Sequence, residues 1–154
     1  MSGVADNSEL LSQIGAIIST GFVASFYPNF KIESSHPRIP YVPSETSLLV
    51  SFEVDSEHCN YLDNLHGGAA ITLLETVTAF ALLRLRPNKY SVAMDISMNY
   101  LRAVPKGEKV FVLAKVKRVG GQLAFLGAEL YNDQGELCYE GIYVKMFTGE
   151  SIKL

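Results

Sequence analysis

The stretch Asn60-Tyr61-Leu62-Asp63-Asn64-Leu65-His66-Gly67-Gly68-Ala69-Ala70-Ile71-Thr72-Leu73-Leu74-Glu75 decides how the rest of the chain is read. A polar loop passes through a His-Gly-Gly step into an apolar run that reaches about Leu85. The length and composition of that run predict a helix, and a helix that is apolar on every side is buried on every side. Pro87 stops it, because proline cannot continue the helical hydrogen-bond ladder. One carboxylate, Glu75, stands in the middle of the run. An ionised carboxylate is costly to bury unless it is paired or put to use, so this residue is the place to look for function.

Working outward, the chain has 154 residues, 48% of them hydrophobic and 19% charged, which predicts a single domain. A net charge of -3, with no runs of Lys or Arg, speaks against a nucleic-acid-binding surface. The segment from Ala69 to Leu85 is slightly short for a membrane span and is interrupted by Thr72, Glu75, Thr76 and Thr78, so it reads as a core helix. Cys59 and Cys138 form no CxxC and are expected as reduced thiols. His58, Cys59 and His66 match no usual zinc spacing, and neither a metal nor a resident cofactor is expected. The N-terminal residues show no signal-peptide pattern and the first basic residue is Lys31. A cytoplasmic location is expected, with the mitochondrion left open.

Upstream, Asn7 and Ser8 can cap a first helix. There Leu10, Leu11, Ile14, Ile17 and Ile18 fall at helical spacing up to about Thr20-Gly21. Pro28, Pro37, Pro40 and Pro43 punctuate the next segment, leaving room for one short strand near Phe30–Glu33. Ser47–Val54 alternates, with Leu48, Val50, Phe52 and Val54 on one face, as a half-buried strand does. Beyond Pro87, strands are predicted over Ser91–Leu101, Lys109–Val119, Gln122–Tyr131 and Glu136–Phe147. Turns at Pro105–Gly107, Gly120-Gly121 and Asn132–Gly135 imply an antiparallel meander. In the first of these strands, strict alternation puts Val92, Met94, Ile96, Met98 and Tyr100 on one face and Ser91, Ala93, Asp95, Ser97 and Asn99 on the other. The expected architecture is α+β: a curved antiparallel β-sheet wrapped around a long central α-helix, with an extra N-terminal helix.

This order resembles the hotdog fold. The pattern Asn60…His66-Gly67-Gly68…Glu75 is similar to the Asn…His-Gly-Gly…Asp pattern of PaaI-like acyl-CoA thioesterases of the mammalian thioesterase superfamily member type. Asp95 within Val92–Tyr100, Pro105–Glu108, Gly120–Phe125 and Gly141 add further matches, so the resemblance covers roughly 47–147. It implies hydrolysis of a fatty or aryl acyl-CoA to free acid and CoA, with coenzyme A entering only as part of the substrate.

Thioester hydrolysis needs donors for the developing oxyanion and a base or nucleophile at the carbonyl. Gly67 opens a helix, where backbone N–H groups lack intrahelical acceptors, and glycine lets a substrate approach closely. The Gly67 N–H is therefore a candidate oxyanion donor, with Gly68 beside it; the alternative is a tight loop-to-helix step and nothing more. Glu75 is the candidate general base or nucleophile, and desolvation among apolar neighbours would make it a stronger base near neutral pH. Its bland alternative is a carboxylate satisfied by Thr72, Thr78 or water. Asn60 could orient a water or the carboxylate, or cap the loop. His66 could lie near the thioester or set the start of the helix.

The resemblance places Ala93 where the family carries a serine, and puts Asp95 on the same substrate-binding strand. It assigns coenzyme A to Tyr100, Leu101 and Arg102 and to Arg118, Gly120, Gly121 and Gln122. Lys117 and Lys145 are further candidates for phosphate contacts. The acyl tail would run near Ile71, Leu74, Thr78 and Leu82.

Spacing adds a deduction. Eight positions of helix separate Gly67 from Glu75, about 12 Å, whereas attack on a carbonyl needs about 3 Å. If both act in one reaction they come from two chains, which predicts a homodimer with shared active sites; pairing of dimers into a tetramer stays open. Two other readings compete with hydrolysis. One is a hydratase or dehydratase built on His66 and Glu75. The other is an acyl-CoA binding module without turnover, kept alive by Ala93.

Overall fold

The computed structural model describes residues 7–17, 29–87 and 89–149. Among them are two α-helices, α1 (Asn7–Ile17) and α2 (Gly67–Leu85), and six strands: β1 (Lys31–Glu33), β2 (Ser47–Glu53), β3 (Ser91–Tyr100), β4 (Lys109–Val119), β5 (Leu123–Asn132) and β6 (Leu137–Phe147). The expected end of the first helix, near Thr20-Gly21, lies outside the described residues.

One antiparallel sheet runs in the order β1-β2-β4-β5-β6-β3, and α2 lies across its inner face. Alternation decides which side chains meet the helix. Val110, Val112 and Ala114 of β4, and Ala124, Leu126, Ala128 and Leu130 of β5, are buried with Leu73, Leu74, Val77 and Phe80 of α2 in one core. Leu10 and Ile14 of α1 join that core. On the outer face, Ile39, Leu49, Phe111 and Leu113 form a second, smaller cluster. By length and composition α2 could cross a membrane; here the sheet covers it, as a core helix requires. The curved sheet around a long helix, with an added N-terminal helix, is the architecture expected from the sequence.

Two sequence expectations are corrected. The strands after α2 are not one meander: β4, β5 and β6 follow each other, but β3 pairs with β6, and β4 with β2 and β5. Residues 101–108 therefore cross the sheet instead of closing a hairpin. On the way they hold the loop before α2, since the Leu65 N–H donates to Val104 O at 2.7 Å and the Lys106 N–H to Asp63 O at 2.8 Å. The alternation of β3 is also broken. Its register with β6 shifts between Ala93 and Asp95, so Ala93 is opposite Lys145 while Asp95 is opposite Val144. Residues paired across strands share a face. Ser91 and Ala93 therefore join Ile96, Met98 and Tyr100 on the inner face, and Val92 joins Asp95, Ser97 and Asn99 on the outer one. Nothing in an alternating sequence reveals one extra residue.

The turn between β5 and β6 closes on Gly135, whose φ is +78°. A Cβ there would lie 2.6 Å from Arg38 Cβ and 2.9 Å from Arg38 O. Gly107, at φ +84°, has open space around it. Gly107→Ala should cost about 1 kcal/mol from backbone strain alone. Gly135→Ala should cost clearly more, because strain adds to a clash with backbone. Urea unfolding of the two variants checks the difference.

Candidate active site

The site is built where α2 begins. A short 3-10 turn, Ser56–His58, leads into the loop of residues 59–66. Asn60 organises that loop: its Oδ1 accepts from the Leu62 N–H at 2.9 Å and the Asn64 N–H at 3.2 Å. The loop-capping reading of Asn60 is thus realised, and its Nδ2 donors stay uncommitted within the described chain. His66 is the N-cap of α2, and its Nδ1 accepts from the Gly68 N–H at 2.9 Å. Its own N–H donates to His58 O at 2.8 Å. His66 therefore sets the start of the helix. With the Gly68 donor capped, the Gly67 N–H is left without a hydrogen-bond partner among the described residues.

Tyr100 meets Gly67 from β3. Its hydroxyl donates to Gly67 O at 3.1 Å, and a Cβ on Gly67 would come within 3.2–3.3 Å of the phenol. Glycine at this position admits the tyrosine ring. Tyr100, expected at coenzyme A, is in this chain a support for the helix N-terminus.

Glu75 lies two turns further along. The sequence suggested threonines or water as its partners. The structure instead gives Lys145, whose Nζ is 2.7 Å from Glu75 Oε1 and 2.8 Å from Glu75 O. The lysine side chain is 0% exposed and that of Glu75 30%. Thr72, Thr76 and Thr78 spend their hydroxyls on the carbonyls of Gly68, Thr72 and Glu75. Lys145 was expected as a surface contact for phosphate, and that is corrected: its ammonium is inside, on the candidate base. Burial pulls its pKa below the ordinary lysine value, against the pull of the Glu75 charge and hydrogen bond. Two residues before it, the Tyr143 hydroxyl donates to Ile71 O at 3.2 Å. Burial, aided by the charges of Glu75 and Tyr100, pushes that phenol up, so it stays a neutral donor.

The remaining expected residues spread out. Ala93 is on the inner face beside Lys145, but Asp95 is exposed on the outer face, away from Glu75. Leu101 is exposed, and Arg102 Nη2 is 3.5 Å from Glu136 Oε1. Arg118, Gly120, Gly121 and Gln122 are exposed around the β4–β5 turn. There the Gly120 N–H closes the hairpin on Leu123 O at 2.7 Å, so only the Gly121 amide is left as a candidate anion donor. Lys117 packs over Gly127, its Cε 3.1 Å from the position a Cβ would take. Among the described residues no His, Cys, Asp or Glu side chains gather into a group that could hold a metal ion.

Lys145 and Tyr143 are the site residues whose place the sequence did not reveal. The available signal was a lysine in register with Tyr139, Gly141 and Tyr143, on the opposite face from Glu140, the other charged residue of the strand.

A curved antiparallel sheet wrapped on a long central helix defines the hotdog fold. The chain belongs to the thioesterase superfamily, whose profile matches residues 62–139. It is similar to human acyl-coenzyme A thioesterase 13, 30% identical over 99 residues, which is 64% of this chain and 71% of the relative. Among solved structures it is similar to thioesterase superfamily member 2 from Mus musculus, at TM-score 0.76 and 24% identity over 95% of this chain and 98% of that one. It is also similar to the E. coli PaaI protein, at TM-score 0.74 and 19% identity, with coverage of 95% and 98%.

Removing the Glu75 carboxylate strands a buried ammonium. Glu75→Ala should lose on the order of 2–3 kcal/mol in urea unfolding near neutral pH, and Glu75→Gln much less, because the amide still accepts a hydrogen bond. A lysine whose folded-state pKa lies below its unfolded value destabilises at low pH, and that loss fades as pH rises to the unfolded value. Without Glu75 the depression deepens. The gap between Glu75→Ala and wild type should therefore narrow as pH climbs toward the ordinary lysine range.

Proposed function

We propose that the protein hydrolyses acyl-CoA thioesters to free acid and coenzyme A, with Glu75 as general base or nucleophile and the Gly67 N–H as oxyanion donor. The observation that carries this reading is the state of Glu75. Lys145 occupies one carboxylate oxygen, and Oε2 has no partner among the described residues, on a side chain that reaches the surface. In the base form of the reaction, water adds to the thioester carbon and its proton passes to Oε2. The oxyanion rests against the Gly67 N–H at the positive end of the α2 dipole. The C–S bond then breaks, and the proton returns from Glu75 to the departing thiolate. In the nucleophile form, Oε2 itself attacks the thioester carbon and the C–S bond breaks to release CoA thiolate; water then hydrolyses the anhydride to the free acid and the Glu75 carboxylate, and the proton this liberates goes to the thiolate.

The acyl-CoA substrate is supported by the family and by the name of the human relative. Coenzyme A enters as part of the substrate, its phosphates near Arg118 and Gly121, and the acyl tail follows Ile71 and Leu74 along the helix. A hydratase reading loses support because His66 Nδ1 is spent on the Gly68 N–H.

Residues 67 to 85 form one unbroken helix, so Gly67 and Glu75 of one chain stay about 12 Å apart. The proposed site is therefore shared: Asn60 and Gly67 of one protomer work with Glu75 of the other. The dimer seam we propose is β3, the sheet edge beyond β6. Val92, Met94 and Ile96 there are 44%, 58% and 37% exposed, and an unpaired apolar edge is a template for another strand.

Thiol release from a panel of acyl-CoAs, followed with a thiol reagent, tests the reaction. Wild type should release CoA, and Glu75→Gln should be slower by about a hundredfold or more, the usual loss for a positioned base. Tight binding without thiol release would leave a binding module instead. The shared site has its own check. Asn60→Asp keeps the loop-capping oxygen and removes the amide donors. Mixing it with Glu75→Gln under subunit exchange should restore activity above the sum of the two parents, and activity equal to that sum would place the whole site in one chain.

A further inference from the structure

Lys145 costs the core something. Burying an ammonium is unfavourable even when it is paired, and an apolar side chain of similar length usually serves a core at least as well. A charge retained there despite its cost points to the site it touches.

The local register shows how the side chain is accommodated. Its cross-strand neighbours are Ala93 on β3 and Ala124 on β5. Two methyl groups flank the stem, so four methylenes can cross from β6 to α2. The ammonium then makes two bonds to one residue, 2.8 Å to the Glu75 carbonyl and 2.7 Å to Oε1. A glutamate side chain has several rotatable bonds. Here it is tied at its backbone and at its tip by the same nitrogen, which leaves one carboxylate conformation and one free oxygen.

We infer that Lys145 is a positioning residue for thioester hydrolysis: it clamps Glu75 so that Oε2 is the reacting oxygen, and the alanines at 93 and 124 keep the path of the lysine clear. This rests on the reading of Glu75 as base or nucleophile. It gives Ala93 a role of its own: in place of a hydroxyl that would touch substrate, it is the small neighbour that lets the clamp reach the helix. The ionisable groups that face the ammonium are Glu75 from α2 and Tyr143 from its own strand, whose ring centroid is 6.0 Å away; β3 and β5 present the two alanines.

Kinetics on wild type, Lys145→Met, Glu75→Gln and the double variant test the clamp. Lys145→Met, whose apolar stem fills the same space, should lower kcat by about tenfold or more while KM moves less than about threefold. In the Glu75→Gln background the same substitution should cost nothing further, because the group it positions is gone. The pH profile gives a signature that loss of packing would not. The pKa of Lys145 is depressed by burial, so wild-type kcat, corrected for uncatalysed hydrolysis, should fall below the ordinary lysine value of about 10.4 as the ammonium loses its proton. That alkaline limb should vanish in Lys145→Met.

Wild-type kcat in Lys145→Met, or an equal loss in both backgrounds, overturns the clamp. If Lys145→Met does not fold, the wild-type profile decides: a kcat flat beyond about pH 10.4 overturns it. Full activity in Glu75→Gln instead removes the reading of Glu75 on which the clamp rests, a result distinct from failure of the clamp itself.

Discussion

The structure depends on how an apolar helix is joined to the sheet that hides it. Dispersion and burial fix α2 in place but do not set its rotation or its height along the strands. β6 does both with polar groups. Tyr139 donates to Leu65 O, Tyr143 to Ile71 O, and Lys145 to Glu75 O. Two residues of strand span about 6.6 Å and four residues of helix about 6 Å, so Tyr143 and Lys145 meet carbonyls one turn apart without strain. A slip of one residue in β6 would turn these three side chains to the outer face and put Val144 and Met146 against the helix. The contacts that set the register of the core are thus the ones that hold the candidate base.

The start of α2 obeys a similar logic with backbone donors. The first N–H groups of any helix lack internal acceptors. His66 takes the Gly68 donor, and Tyr100 holds the Gly67 carbonyl from the far side. Among the described residues, the Gly67 N–H is left unspent, at a helix start fixed by these two bonds. His58 supports this from beneath: it is buried, its carbonyl accepts from the His66 N–H, and burial pulls its imidazole below the ordinary pKa. A neutral histidine suits a site meant to keep its positive potential at the helix dipole.

Much of this was legible in the chain. The apolar run from Ala69 to Leu85, stopped by Pro87, announces the central helix. The alternation of Leu48, Val50, Phe52 and Val54 announces a strand with one covered face. His-Gly-Gly with Glu75 nine residues after the histidine marks the candidate site. Three features were not legible, each for a definable reason. The shift near Met94 leaves no mark, because the sequence alternates cleanly straight through it, with large apolar residues in one phase and small or polar ones in the other. The pairing of β3 with β6 is hidden because Pro105–Gly107 looks like a hairpin turn whichever way the chain leaves it. Lys145 was misplaced because β6 is apolar on both faces, with Ile142, Val144 and Met146 on one and Tyr139 and Tyr143 on the other. Alternation puts Lys145 with Tyr139 and Tyr143 but does not say which face is inner, and its charge alone favours the wrong one.

The chain crossing of residues 101–108 has a consequence for biosynthesis. α2 is complete at Leu85, yet β4, β5 and β6, which cover it, span residues 109–147. A ribosome therefore exposes a helix with the length and hydropathy of a membrane segment well before its wrapping exists. The ammonium that neutralises Glu75 emerges some sixty residues after α2 ends. During that interval an apolar helix stands without the strands that cover it, the state in which exposed apolar surface is most prone to aggregate, and its charged residues Glu75 and Arg84 set it apart from an uninterrupted apolar span.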